Sequence, residues 1–122
     1  MSKIDKFEDI KAWQKARKLV KEIYNTTKKG SFIKDFGLCK QIQNASVSIM
    51  ANIAEGFDSQ SDDEFVRFLR YGLRSATEVQ SHLYVSLDQD YIKKESFDKL
   101  YKEIEEIKSL IAGFIRCLRS ES

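Results

Sequence analysis

The chain contains no proline, so none of its helices has to break for want of a backbone donor. It has one histidine and two cysteines. Cys39 and Cys117 lie far apart and in no metal-ligand spacing. Each sits in an apolar helical context, which predicts buried free thiols and a reducing, cytoplasmic compartment. There is no glycine-rich phosphate loop, no nucleophile elbow and no cysteine–histidine dyad. These absences predict no bound metal, no cofactor and no catalytic activity. The opening stretch MSKIDKFEDIK has no apolar run of signal-peptide type. Nowhere do ~20 apolar residues follow one another, as a membrane span requires. No period-two alternation marks a strand.

What is present is hydrophobic enough to fold. Hydrophobic residues make up 42% of the 122 positions, eight of them phenylalanine, which excludes a disordered chain. The length fits a single domain, residues 1–122, with its own core. The net charge is +2, too small to name a partner by itself. Its distribution is uneven. Residues 1–29 carry nine Lys/Arg against four Asp/Glu, whereas residues 57–90 carry three against seven.

The most unusual stretch is Gln41–Gly56, QIQNASVSIMANIAEG, uncharged from Gln41 through Ala54 in a chain that is 33% charged. On a helix, Ile42, Ala45, Ile49 and Ile53 share one apolar face. Val47, Met50 and Ala54 fall on the opposite side, where a surface helix should be charged. Between them runs a polar stripe of Gln41, Asn44, Ser48, Asn52 and Glu55. Such a helix is covered on both sides, by its own chain and by something else.

The remaining periodicity predicts four helices, at about 9–29, 36–57, 62–88 and 94–119. In the first, Trp13, Ala16, Val20, Ile23, Tyr24 and Thr27 form the inward stripe and Gly30 the stop. Asp35 is the expected N-cap of the second, and Gly56 marks its end. Ser61 and Glu64 read as a capping box for the third, where Asp58, Asp62, Asp63 and Glu64 favour the positive helix end. Its core stripe is Phe65, Leu69, Gly72, Ala76, Val79 and Leu83. In the fourth, Phe97, Leu100, Ile104, Ile107, Ile111, Phe114 and Leu118 step by three and four without a break. Short connections then predict an all-α, antiparallel up-down-up-down four-helix bundle.

Two surfaces are left over. The apolar side of the second helix, Val47, Met50 and Ala54 with Cys39, and the small residues Ser109, Ala112 and Gly113 of the fourth, with Tyr101 and Ile115 beside them, predict a homo-oligomer. Outward basic rows, Arg67, Arg70 and Arg74 on the third helix and Lys11, Lys15 and Lys18 on the first, are candidates for phosphate contact. A rival reading is a small-molecule-binding or catalytic bundle built on Glu55, Glu78 and His82. A purely protein-binding scaffold is a third.

The chain resembles the bacterial four-helix-bundle family of the 23S rRNA intervening-sequence protein. The resemblance runs from about Phe7 to Leu118. It rests on Phe7-Glu8-Asp9-Ile10 and Ala12-Trp13-Gln14-Lys15-Ala16, on Gln41, Ala45, Ser48 and Ile49, on Asn52-Ile53-Ala54-Glu55-Gly56, and on Glu64-Phe65, Phe68-Leu69, Ser75 and Glu78. Arg74-Ser75 departs from the family's Gly-Ser. The resemblance implies a ring, a homopentamer. The polar stripe itself reads as a buried, paired network that fixes helix register, and Gln41, Asn44, Ser48, Asn52, Glu55, Gly56, Ser75 and Glu78 are the expected signature and network positions. The resemblance further implies kinship with the accessory variability proteins of diversity-generating retroelements, whose basic surfaces bind nucleic acid and a reverse transcriptase. By that likeness, the expected partner is structured RNA or a ribonucleoprotein.

Overall fold

The protein is described by a computed structural model covering residues 4–121. Four helices follow one another: α1 (Lys11–Thr27), α2 (Phe36–Asp58), α3 (Asp62–Asp88) and α4 (Lys94–Glu121), with single 3₁₀ turns at Phe7–Asp9 and Phe32–Lys34. They form an all-α four-helix bundle. α1 packs on α2 and α4, α3 packs on α2 and α4, and the α2–α3 seam is the most extensive. α1 and α3 therefore occupy opposite corners.

The ends follow from local chemistry. Asp35 caps α2, its Oδ1 accepting the Leu38 N–H at 3.1 Å. Ser61 Oγ accepts the Glu64 N–H at 3.1 Å, but the capping box is only half made, because Glu64 turns instead to Arg67. α1 is shorter than its periodicity suggests. Phe7–Asp9 wind as a 3₁₀ turn, Ile10 is extended, and the helix stops at Thr27. Gly30, at φ +56°, takes the expected left-handed conformation in the turn beyond the helix.

The core stripes of α2 and α3 are buried as their spacing requires. α1 is rotated by one position: Ala12, Ala16, Leu19, Ile23 and Thr27 face inward, Trp13 and Val20 are half-buried, and Tyr24 is exposed. The two alanines allow close approach to the neighbours, while Trp13 packs edge-on against Phe7 with ring centroids 5.1 Å apart. In α4, Ile115 is buried and Phe114 only half-buried. Ile115, assigned above to the leftover face, belongs to the core. Phe114 instead joins an aromatic cluster with Phe65 and Phe57 at one end of the bundle. At the other end, Tyr91 stacks on buried Phe32 at 5.0 Å and its hydroxyl donates to Asp35 Oδ2 at 2.9 Å, joining the two loops there.

Gly56 is not a terminator. It lies inside α2 at the crossing with α3, where an added Cβ would sit 2.8 Å from Phe65 Cδ1 and 2.9 Å from Phe68 Cβ. Glycine is what lets the two helices meet there.

Candidate interaction surfaces

Each seam between neighbouring helices is crossed by at least one polar rung, and these rungs help set the register of the bundle. Between α2 and α3, Ser75 Oγ donates to Ser48 Oγ at 2.9 Å and Asn52 Nδ2 donates to the same oxygen at 3.0 Å. Asn52 also reaches the Ser48 carbonyl at 2.8 Å. The expected network is smaller than the stripe: Gln41, Asn44, Glu55 and Glu78 are exposed in the single chain. The other rungs were not read from the sequence. Gln43 Nε2 donates to Thr27 Oγ1 at 2.9 Å between α1 and α2. Between α3 and α4, buried Gln80 donates to Glu105 Oε2 at 2.7 Å and accepts from Lys108 Nζ at 3.1 Å. Gln80 adjoins core Val79, and that position was the available signal.

The fourth rung, between α1 and α4, is a carboxyl pair. Lys99 Nζ donates to Glu22 Oε2 and, at 3.1 Å, to Glu103 Oε2. Glu22, placed toward water by its spacing, is half-buried, and its Oε1 has no donor unless Glu103 carries a proton. Burial pushes the Glu22 carboxyl up, but hydrogen bonds from Glu103 and Lys99 outweigh it and leave Glu22 below the usual carboxylate range. Burial, and then the bond to Glu22, push Glu103 above that range in spite of Lys99. Glu22 therefore loses its stabilising share as pH falls through its lowered value. Glu103 loses its share as pH rises through its raised value. The pair contributes most within the acidic interval between the two. Glu103→Gln keeps a donor for Glu22 and has no charge to develop. It is expected to remove the decline from mildly acidic to neutral pH and to raise stability at neutral pH by no more than about 1 kcal/mol. Urea midpoints measured across that range test this, and parallel curves for the two proteins would exclude the shared proton.

The Glu55, Glu78 and His82 constellation is not assembled. His82 Nε2 lies 3.2 Å from Glu78 Oε2. Ser48 faces Ser75 across antiparallel helices, so Glu78 stands level with Ala45, roughly 15 Å along the helix from Glu55. Among the described residues, no three His, Cys, Asp or Glu side chains gather as a metal site needs. Among the described residues neither cysteine is in a disulfide, and both are half-buried rather than buried. Cys39 donates to the Phe32 carbonyl at 3.1 Å, and burial, then the Asp35 charge, push its thiol up.

The basic rows differ from their sequence reading. The Arg67 guanidinium is held bidentately by Glu64, both contacts at 2.8 Å, and donates to Tyr71 Oη at 3.0 Å. It also lies over the Phe68 and Tyr71 rings. Arg74 lies over Tyr71, and Arg70 is exposed. On α1, Lys15 pairs with Glu106 at 3.6 Å. Lys15 and Lys18 line a cleft of about 170 Å³ with Glu103 and Glu106. Lys11 joins a second cleft, of about 450 Å³, with Glu105 and Glu106. Much of the lysine row thus faces the acidic row of α4, and it lies at the opposite corner from the arginines.

On the outer side of α2, Val47 is 38% exposed, with Met50 and Ala54 half-buried. Ser109 is exposed, and Ala112 and Gly113 are half-buried. The sequence reading missed a second exposed group. Ile33 and Phe36, in and beside the first interhelical loop, are 47% and 79% exposed, and Tyr24, Tyr84 and Val85 are exposed toward the same end.

Fold and surface together define a small four-helix bundle with polar rungs across its seams and an outer side of α2 uncharged from Gln41 through Ala54. Residues 8–113 match the family model described as 23S rRNA-intervening sequence protein, and the chain belongs to that family. It is similar to a solved protein of unknown function from the S23 ribosomal protein family of Bacteroides thetaiotaomicron. That likeness has 27% identity and a TM-score of 0.80 over 86% of this chain and 95% of the other. Among curated proteins, none matches the chain. Among the described residues, no helix is long and apolar enough to cross a membrane.

Proposed function

We propose that this protein is a non-enzymatic, self-assembling bundle that acts as an interaction module for RNA or a ribonucleoprotein partner. The observation that carries the assembly half is the outer side of α2. Val47, Met50 and Ala54, with the exposed amides Gln41 and Asn44, make a side without charge from Gln41 through Ala54. A single chain gains nothing by showing such a side to water, and a symmetric copy can cover it. The small residues Ser109, Ala112 and Gly113 permit a close second contact. Ring closure as a homopentamer is the form that family likeness favours. The RNA half is supported by cations without an ion pair among the described residues, including Arg70 and Arg74 of the α3 row and Lys11 of the α1 row. Repetition around a ring multiplies their field. Cysteines outside any disulfide suit a reducing, cytoplasmic setting.

The test is native mass at two salt concentrations, with the absorbance ratio recorded. The expected result is a particle of several 14.2-kDa chains that carries nucleic acid at low salt and sheds it at high salt. A clean assembly with no salt-sensitive RNA binding would transfer the reading to a protein partner. A stable monomer would overturn the assembly half, and Val47→Glu is expected to produce that monomer.

A further inference from the structure

The segment Lys28–Phe36 joins α1 to α2 and is held firmly. Phe32 is buried and stacked on Tyr91. The segment's one acid, Asp35, commits Oδ1 to the Leu38 N–H and Oδ2 to the Tyr91 hydroxyl. On this fixed base the protein displays groups its own fold does not use. Phe36 is 79% exposed, more than any other large apolar side chain among the described residues, and Ile33 is half-exposed beside it. Lys28, Lys29 and Lys34 are exposed, and no ion pair among the described residues engages them. The neighbouring loop nearly cancels itself, with Asp88 and Asp90 against Lys93 and Lys94. The excess of positive charge therefore belongs to Lys28–Phe36.

An open aromatic ring among unpaired cations on a pre-ordered loop is the arrangement that binds unpaired nucleotides. The ring supplies a sequence-tolerant stacking face, and the ammonium groups neutralise successive phosphates. We propose that this loop is a single-stranded RNA contact, with Phe36 stacking on one base and Lys28, Lys29 and Lys34 meeting the flanking phosphates. The proposal rests on the RNA reading above and moves its principal contact from the α3 and α1 rows to the loop end. One cation of each row is already compensated, Arg67 by Glu64 and Lys15 by Glu106. A membrane surface is the rival occupant, and the apolar side chains the loop itself exposes, Ile33 and Phe36, give it little area to insert.

The probe is a short fluorescein-labelled oligouridine followed by anisotropy at several salt concentrations, with native mass recorded for every variant. Phe36→Ala is expected to weaken binding about tenfold, and Phe36→Trp to restore it. Lys28→Glu/Lys29→Glu/Lys34→Glu is expected to abolish binding and leave the mass unchanged. Arg70→Glu/Arg74→Glu should cost only about threefold. Retained binding in the loop variants with loss in the arginine variant overturns this inference and leaves the RNA reading standing. No RNA binding by the wild-type protein ends both. Dissociation of the assembly by Phe36→Ala would mark Phe36 as a subunit contact. Capture by phosphatidylserine vesicles in preference to RNA would mark a lipid surface. Either result overturns the proposal.

Discussion

Replacing Gly56 with alanine is expected to lower the stability of the bundle by about 2 kcal/mol, a drop in melting temperature of roughly 5–10 °C. The new methyl carbon would lie 2.8 Å from Phe65 Cδ1, 2.9 Å from Phe68 Cβ and 3.3 Å from Phe65 Cε1. The Phe65 ring is confined, because it packs against Phe57 and Phe114 at centroid separations of 6.2 and 5.1 Å. Phe68 Cβ is fixed directly to the α3 backbone, so no rotamer moves it. α2 and α3 must part, along the most extensive seam of the bundle. Alanine's better helix propensity returns roughly 1 kcal/mol, less than overpacking takes.

Gly72→Ala is the internal control. A Cβ there would meet Ile111 Cδ1 and the Ile49 carbonyl oxygen at 3.7 Å, ordinary contact distances. The propensity gain then stands alone, and stability should rise by up to about 1 kcal/mol. Urea unfolding of both variants at one protein concentration decides the matter, since self-association of any kind makes stability concentration-dependent. If the two shifts share a sign, the close crossing at Gly56 is not what requires glycine there.

Asp35→Ala is expected to cost about 2 kcal/mol, because one carboxylate serves two structures. Its Oδ1 satisfies an otherwise orphaned N–H in the first turn of α2. Its Oδ2 holds the Tyr91 hydroxyl and so ties the loop after α3 to the loop before α2. Tyr91→Phe should cost less, and in that background Asp35→Ala should cost less than it does alone. Equal costs in both backgrounds would show the two bonds to be energetically separate. The hydrogen bond to Asp35, and then burial, raise the Tyr91 phenol above its ordinary value. Its contribution is therefore intact through neutral pH and is lost as alkaline pH ionises the ring. Tyr91→Phe should remove that alkaline loss.

Most of the architecture was legible in the sequence by itself. Four helices, their loops, the Asp35 and Ser61 caps and the inward stripes of α2 and α3 follow from periodicity and capping, which are local properties. So does the uncharged outer side of α2. Where the reading slipped, packing had decided. Leu19 and Val20 are equally apolar, and the choice between them depended on how closely Ala12 and Ala16 bring α1 to its neighbours. Phe114 and Ile115 are separated in the same way, by a seat among aromatic rings from other helices. The role of Gly56 is invisible without α3 beside it.

Interactions between side chains were the least legible. Charge positions on one helix do not tell which opposite charge another helix will present. Arg67 meets Glu64 and Lys15 meets Glu106, while Lys28, Lys29 and Lys34 meet no acid in an ion pair among the described residues. Nor does spacing tell that Glu22 and Glu103, 81 positions apart in the chain, share Lys99. Backbone and solvent preferences act over a few residues, so the sequence alone determined the helices. Electrostatic and steric complementarity acts across helices, so only the folded bundle decided which charges cancel and which are left exposed.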